Sequence, residues 1–389
     1  MTAATPLSDI TVIELGHSVA APYAGEILGD LGATVIKIEK RDGGDDARQW
    51  APPYWHGLAA IFQSLNRNKL SCVVDLRDPR ERDLLTRLIV ERADVLIQNL
   101  RPGMVEELGL DAATLRARNK RLIYCGIGAF GRGGPLSGRP GYDPLMQAFG
   151  GLMSVTGEAG EPPVRVGTSI IDMGAGLWSV IGILSALHHR TLTGAGTTVD
   201  TSLYETALAW MSYHAANYQA SGEVPRRHGS GTFGIVPYRG YATSDGHLVI
   251  GAGNDNLFRK LAVALGHPEW ADDPRFLDNP KRVHNRVALD AMIEEATRTK
   301  ATAAWQAILE AAGVPSAPMQ SVDQVLAHPQ TQALGMLQQS PDGRLTIMGL
   351  PLSFDGERPP FRRAAPKLGE HTEELLAPPA AQAKTVSRR

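Results

Sequence analysis

Residues 10–39 read ITVIELGHSVAAPYAGEILGDLGATVIKIE. The β-branched run Ile10–Leu15 is a strand, and a loop at Gly16–Pro22 leads from it into a helix that ends near Gly32. A second strand follows at Thr34–Glu39. The alternation continues downstream. Ser71–Leu76 is extended, Pro79–Arg92 is a charged helix, and Ala93–Gln98 is extended again. A helix near Leu110–Asn119 then precedes Arg121–Cys125. Strands separated by helices predict an open, doubly wound parallel sheet with crossovers, and in such sheets ligands bind beyond the carboxyl ends of the strands. Polar residues fall at those ends: Lys40 and Arg41 after the second strand, Asp75 and Arg77 after the third, Asn99 and Arg101 after the fourth. Gathered in one crevice, Lys40, Arg77 and Arg101 would suit phosphate oxygens.

Gly126–Gly131 matches GxGxxG and follows a strand. A dinucleotide fingerprint also needs a helix to open there. Instead Gly133, Gly134, Pro135, Gly138, Pro140 and Gly141 follow closely, and these residues break helices. The stretch is therefore read as a long loop, and a dehydrogenase is disfavoured. Helical spacing returns at Tyr142–Gly151.

Residues 166–190 read VGTSIIDMGAGLWSVIGILSALHHR. A short β-branched run ends in one carboxylate, Asp172. Behind it Met173, Leu177, Val180, Ile181, Leu184 and Leu187 recur at helical spacing, over about fifteen residues. Gly174, Ala175, Gly176, Gly182 and Ala186 leave room for another backbone to lie close. Asp172 reads either as the N-cap of this helix or as a nucleophile, ionised near its ordinary pKa of about 3.9 and kept charged by the helix N-terminus. The local sequence fits both.

The 39 Lys+Arg against 41 Asp+Glu give no basic field for a nucleic-acid partner. Cys72 and Cys125 lie in apolar runs and read as reduced core residues. No CxxC, Cys/His cluster or HExxH suggests a metal. The segment MTAATPLSDI has neither the basic nor the apolar region of a secretory signal, and fifteen apolar residues fall short of the roughly twenty that span a bilayer. The expectation is a cytoplasmic protein without membrane or nucleic-acid partners. Near Gly222 the character changes. Pro225–Thr232 is basic and glycine-containing, Ser244-Asp245-Gly246 between two extended runs signals a hairpin, and three helices follow to Ala312. The predicted organisation is a large domain (1–224), a small domain (225–336), a return to the large domain (337–376) and a disordered Pro/Ala-rich tail (377–389).

The ordered set Val12-Ile-Glu-Leu15, Ala21-Pro22, Gly32–Glu39, Asn66-Arg-Asn-Lys69, Val73–Leu76, Asn99–Gly103, Gly141-Tyr-Asp143, the Asp172 segment and Gly369-Glu-His-Thr372 resembles the class III CoA-transferases. That group comprises formyl-CoA, carnitine and dicarboxylate CoA-transferases and also contains α-methylacyl-CoA racemase. The resemblance implies a Rossmann-like large domain, a smaller α+β domain and an interlocked homodimer. It implies acyl-CoA and a small carboxylic acid as substrates, with no permanently bound cofactor. It puts Asp172 on the catalytic aspartate and Val19 and Ala20 beside CoA. Lys40 falls near the nucleotide phosphates, Val74, Asp75, Leu76 and Arg77 under the adenine, and Asn99, Leu100 and Arg101 in a CoA-holding loop. Tyr142 and Asp143 fall close to the thioester, with Arg139 just before them. Gly229 and Gly231 match a glycine loop that closes over the aspartate in the formyl-CoA branch, although that loop is shorter here.

The reaction so implied passes CoA through an aspartyl anhydride and an aspartyl-CoA thioester, with glycines at 128–134 or 229–231 as oxyanion donors. Arg48 and Arg227 are candidates for a second carboxylate, though both also read as surface residues. Two other readings stand beside this one. An acyl-CoA racemase would need a His where Tyr142 stands, with His17, His188 and His189 as other bases. A non-catalytic CoA binder would keep the crevice without the exchange.

Overall fold

The computed structural model describes residues 5–377; residues 378–389 of the expected tail lie outside them. The chain forms two compact units. Among the described residues, one holds 5–151, Val166–Met211 and 329–377; the other holds Leu152–Arg165 and Ser212–His328. The division thus falls at Ser212 rather than at Pro225. It coincides with a break between two helices, one ending at Trp210 and the next starting at Ser212. The return to the first unit comes at Pro329 rather than at residue 337. The second unit also takes in Leu152–Arg165, through a bridge between Gly157 and Gly229.

Six strands of the first unit form one sheet: β1 (Thr11–Leu15), β2 (Thr34–Glu39), β3 (Lys69–Val73), β4 (Val95–Gln98), β5 (Ile123–Gly128) and β6 (Thr198–Ser202). Every pairing is parallel, in the order β3-β2-β1-β4-β5-β6. This is the doubly wound order that the strand–helix alternation predicts. Side chains alternate between the two faces. Ile13, Leu15, Ile36, Ile38, Leu96 and Tyr124 pack with Leu85, Leu88 and Ile89 of helix α2 (Pro79–Arg92). The alternate set lies under helix α1 (Ala20–Asp30) and includes Glu14, Lys37 and Lys69, all fully buried. Lys69 Nζ donates to the Pro22 carbonyl at 2.7 Å. Gly25 of α1 has no side chain because a Cβ there would stand 2.0 Å from Glu14 Oε2.

The C-terminal segment seals the β3 edge. His371 N donates to Ser71 O (2.9 Å), Val73 N to Thr372 Oγ1 (2.9 Å) and Asn68 N to Arg363 O (2.8 Å). The Gly369-Glu-His-Thr372 stretch therefore satisfies backbone groups that an open edge would expose.

Two further helices shape the site, α3 (Asp143–Phe149) and α4 (Ile170–Thr193). At 24 residues α4 exceeds the expected fifteen and ends at Gly194 in the left-handed conformation (φ +74°). Its glycines mark close approaches, as the sequence suggests. A Cβ at 176 would lie 2.9 Å from the Ala20 carbonyl oxygen, and one at 182 would lie 2.5 Å from Val199 Cγ1. By length and composition α4 is apolar enough to cross a membrane, which corrects the shorter estimate; half of its most apolar window is buried in the structure.

The second unit carries a three-stranded antiparallel sheet of β7 (Tyr238–Ala242), β8 (His247–Gly251) and β9 (Ser316–Pro318), with β8 in the middle. The Ser244-Asp245-Gly246 turn joins β7 to β8 as expected. Tyr241, Leu248, Ile250, Phe258, Phe276, Leu289, Ile293 and Trp305 form its core.

Gly176→Ala puts a methyl group against backbone that cannot move aside. The expected cost is about 1–3 kcal/mol, read as a lower urea midpoint at an unchanged slope; a midpoint equal to that of the wild type would show that α1 and α4 are not in this contact.

Candidate functional site

The strand order reverses between β1 and β4, so their carboxyl ends open a crevice. The loops there are clasped by one side chain. Asn99 Oδ1 accepts from His17 N (3.0 Å), and Asn99 Nδ2 donates to His17 O (2.9 Å). Asn99, which the resemblance put in a CoA-holding loop, thus spends its carboxamide on holding the β1 loop. Gly16 fits because a Cβ there would fall 2.4 Å from Ala21 Cβ. Val19 is the N-cap of α1, and Val19 and Ala20 are buried. The first N–H groups of α1, at Ala20 and Ala21, meet no acceptor among the described residues.

The same edge of the sheet carries the basic residues. Lys40 is exposed and paired with Asp46 at 2.6 Å. Arg77 and Arg101 are exposed, and their side chains have no ion pair among the described residues. Val74 is buried and extends the ladder by donating to Glu39 O at 2.9 Å. Asp75 Oδ1 accepts from Arg77 N (2.9 Å), and Leu76 O accepts from Arg82 Nη1 (2.9 Å), so Val74–Arg77 is a shaped turn. Leu76 and Leu100 pack on the core beneath. The structure therefore brings Val19, Ala20, Lys40, Val74, Asp75, Leu76, Arg77, Asn99, Leu100 and Arg101 to one edge. Arg139 is exposed in the loop after β5, which runs without a helix as far as α3. Gly229 and Gly231 belong to the second unit.

Asp172 sits in the first turn of α4, three residues after the N-cap Ser169, and is not itself the cap. That helix end is capped from α3. Asp143 Oδ2 accepts from Ile171 N (2.7 Å) and Asp172 N (3.2 Å). Gln147 Nε2 donates to Asp143 Oδ1 (2.6 Å), and Val166 N donates to Gln147 Oε1 (2.8 Å). Asp143 is 2% exposed, so its carboxylate is spent on these bonds. Tyr142, beside it, is 60% exposed. Gln147 escaped the sequence reading. Its i+4 spacing from Asp143 on a helix was the available signal.

No described donor reaches the Asp172 carboxylate. Burial raises its pKa to about 7, and the Asp143 charge adds to the rise. The ordinary acidity expected from sequence is therefore corrected. The helix-start N–H groups that would have kept Asp172 charged are taken by Asp143. One turn on, Gly176 meets Ala20, which places Asp172 beside the opening of α1.

Other candidates are committed elsewhere. Arg48 has its side chain only 7% exposed rather than on the surface, bidentate to Glu39 (2.7 Å to each oxygen) and 3.9 Å above the Phe62 ring. Arg227 donates to the Glu161 carbonyl in the second unit. His188 and His189 are exposed near the far end of α4, about four turns from Asp172. Burial lowers the His17 pKa despite Asp45 and Asp46 nearby. Among the described residues no group of three or more His, Cys, Asp or Glu is placed to hold a metal ion.

Comparison with known proteins gives a consistent result. The model of CoA-transferase family III matches residues 7–372. Succinate–glutarate CoA-transferase of Agrobacterium fabrum is 38% identical over 382 residues, 96% of this chain and 95% of that protein. Acetyl-CoA:oxalate CoA-transferase of Acetobacter aceti is 38% identical over 381 residues, covering 96% of this chain and 97% of that one. A crystal structure of a CAIB/BAIF family protein from Brucella suis is 40% identical, with a TM-score of 0.85 over 98% of this chain and 99% of that one.

A raised Asp172 pKa has a sign for stability. The contribution is complete below the unfolded pKa of about 3.9 and is lost as pH rises through about 7. Asp172→Asn should therefore melt above the wild type at pH 8, with the difference closing near pH 4. A difference that does not change with pH would mean the carboxylate ionises like an exposed one.

Proposed function

The chain belongs to CoA-transferase family III, and on that premise we propose that it moves coenzyme A between dicarboxylic acids, with Asp172 as the covalent nucleophile. The observation that carries this reading is a half-buried carboxylate that no described donor reaches, one turn ahead of the Gly176–Ala20 contact at the crevice. The two relatives, named for succinate and glutarate and for oxalate, support a succinyl-CoA donor and a short dicarboxylic acceptor.

Ionised Asp172 attacks the thioester carbonyl; the C–S bond breaks and CoA leaves as thiolate, giving an aspartyl–acyl anhydride. The thiolate attacks the aspartyl carbonyl and expels the first acid as its carboxylate, leaving an aspartyl-CoA thioester. The acceptor carboxylate attacks that thioester, CoA leaves again, and the thiolate takes the new acyl group, which regenerates Asp172. The steps exchange like bonds, so neither an electron nor a nucleotide is consumed. A pKa near 7 makes Asp172 a better nucleophile than an ordinary aspartate once it is ionised. The open N–H groups of Ala20 and Ala21 are donors for the carbonyl oxygen. Exposed Arg77 and Arg101 suit the nucleotide phosphates.

A second copy of the chain is part of this reading. Leu177, Trp178, Ile181 and Leu184 form an exposed apolar stripe along α4, which supports the homodimer implied by the resemblance. Racemisation is disfavoured because a phenol rather than an imidazole stands at position 142.

Asp172→Ala and Asp172→Asn should each reduce succinyl-CoA:glutarate transfer at least ~10³-fold, with far-ultraviolet circular dichroism unchanged. Hydroxylamine added during turnover should label the peptide carrying Asp172. Retained transfer, or labelling elsewhere only, would contradict the assignment. The single-turnover acylation rate should climb with pH through about 7 and then level. A flat profile from pH 5 to 9 would mean that Asp172 is already ionised.

A further inference from the structure

We propose that Asp45 is the positioning residue for the loop Gly16–Ala20, with Lys37 as the buried cation that fixes Asp45. The inference rests on the reading that this loop receives the acyl-CoA.

Asp45 lies beyond the end of β2, yet its carboxylate organises the end of β1. Asp45 Oδ1 accepts from Ser18 N (2.9 Å) and from Ala47 N (2.9 Å). Asp45 Oδ2 is 2.7 Å from Lys37 Nζ. Lys37 Nζ also donates to Glu14 Oε1 (2.7 Å) and to the Gly16 carbonyl (3.0 Å). All three side chains are buried. Ser18 adopts φ +70°, a conformation that residues with a Cβ seldom hold without support. The bond to Asp45 supplies that support.

With the Asn99 clasp, the Gly16 carbonyl, both backbone groups of His17 and the Ser18 N–H are all held from neighbouring strand ends. The N–H groups of Ala20 and Ala21, which follow this loop, meet no acceptor among the described residues. A carboxylate is required at position 45 because two N–H donors and an ammonium converge on it, whereas an asparagine has a single acceptor oxygen. The segment bearing it is itself pinned. Gly44 has φ +67° and would place a Cβ 2.6 Å from Glu39 Oε2, and Arg48 binds the Glu39 carboxylate bidentately.

The test compares Asp45→Ala, Asp45→Asn and the double variant Asp45→Ala/Ser18→Gly in the full-length protein, with succinyl-CoA and glutarate as probes. Asp45→Ala should raise KM for succinyl-CoA about tenfold or more, with KM for glutarate within about twofold of the wild type. Glycine at 18 removes the Cβ that makes the loop shape unfavourable, so the double variant should recover part of the lost KM. Asp45→Asn keeps an acceptor for Ser18 N–H but loses the attraction to Lys37. It should show a smaller rise, and it carries the test if the alanine variant does not fold.

Equal changes in both KM values, or no rescue by glycine, would overturn the proposal in favour of a merely structural Asp45. Hydrogen exchange separates the two layers of the argument. The Ser18 amide should exchange faster in the variants. Unchanged exchange overturns the clamp itself, whatever the loop binds. Faster exchange with an unchanged KM for succinyl-CoA overturns the loop's assignment to acyl-CoA.

Discussion

The hydrogen bonds from Ile171 N–H and Asp172 N–H to the Asp143 carboxylate decide what Asp172 can be. A helix start normally favours an acidic side chain in its first turn, because unpaired N–H groups and the helix dipole stabilise negative charge there. Here a second carboxylate, brought in on α3 and locked by Gln147, takes those N–H groups. Asp172 is left half-buried, without a described donor and beside a like charge. Its negative form is therefore costly to make and reactive once made.

The sheet supplies the rest of the arrangement. Its order reverses between β1 and β4, so the β1 loop is free to meet α4 on one side and the basic strand ends on the other. Close packing fixes the distance: Gly176 lets α4 come within contact of the Ala20 carbonyl, and Gly25 lets α1 sit on Glu14. Beneath the loop, Glu14 bridges Lys37 and Lys69 with all three side chains fully buried. Burial opposes the Lys37 charge, but Glu14 and Asp45 more than offset it, and its pKa is raised. For Asp45, burial is likewise outweighed by Lys37, and its pKa is lowered. Such a network adds little net stability compared with an apolar core, but breaking it by removing one partner costs about 3–5 kcal/mol. It commits the chain to one arrangement of the strand ends.

Local features were legible in the sequence. The limits of α2, from Pro79 to Arg92, follow from Pro79 at the first helical position behind the Asp78 cap. The rejection of Gly126–Gly131 as a dinucleotide motif rested on glycines and prolines that the structure does leave outside any helix. The parallel sheet followed from alternation alone. What escaped was non-local. The length of α4 was underestimated because its apolar positions run only from Met173 to Leu187, whereas the helix continues beyond both. The Asp172 pKa depends on burial and on a carboxylate 29 residues earlier in the chain. Arg48 read as a surface residue because its partner, Glu39, lies on another element. The Asp45–Ser18 contact joins two loops that nothing in their composition links.

The central claim is that the side chain of Asp172 is taken apart and remade in each turnover. In the anhydride sequence one oxygen of the acceptor acid is left behind in the Asp172 carboxylate when the new acyl-CoA departs. The most direct measurement is turnover with glutarate carrying heavy oxygen in both carboxylates, followed by proteolysis and mass analysis of the peptide containing Asp172. The account predicts that this peptide gains the mass of heavy oxygen at Asp172 and nowhere else. Formation of glutaryl-CoA with that peptide unlabelled would contradict it.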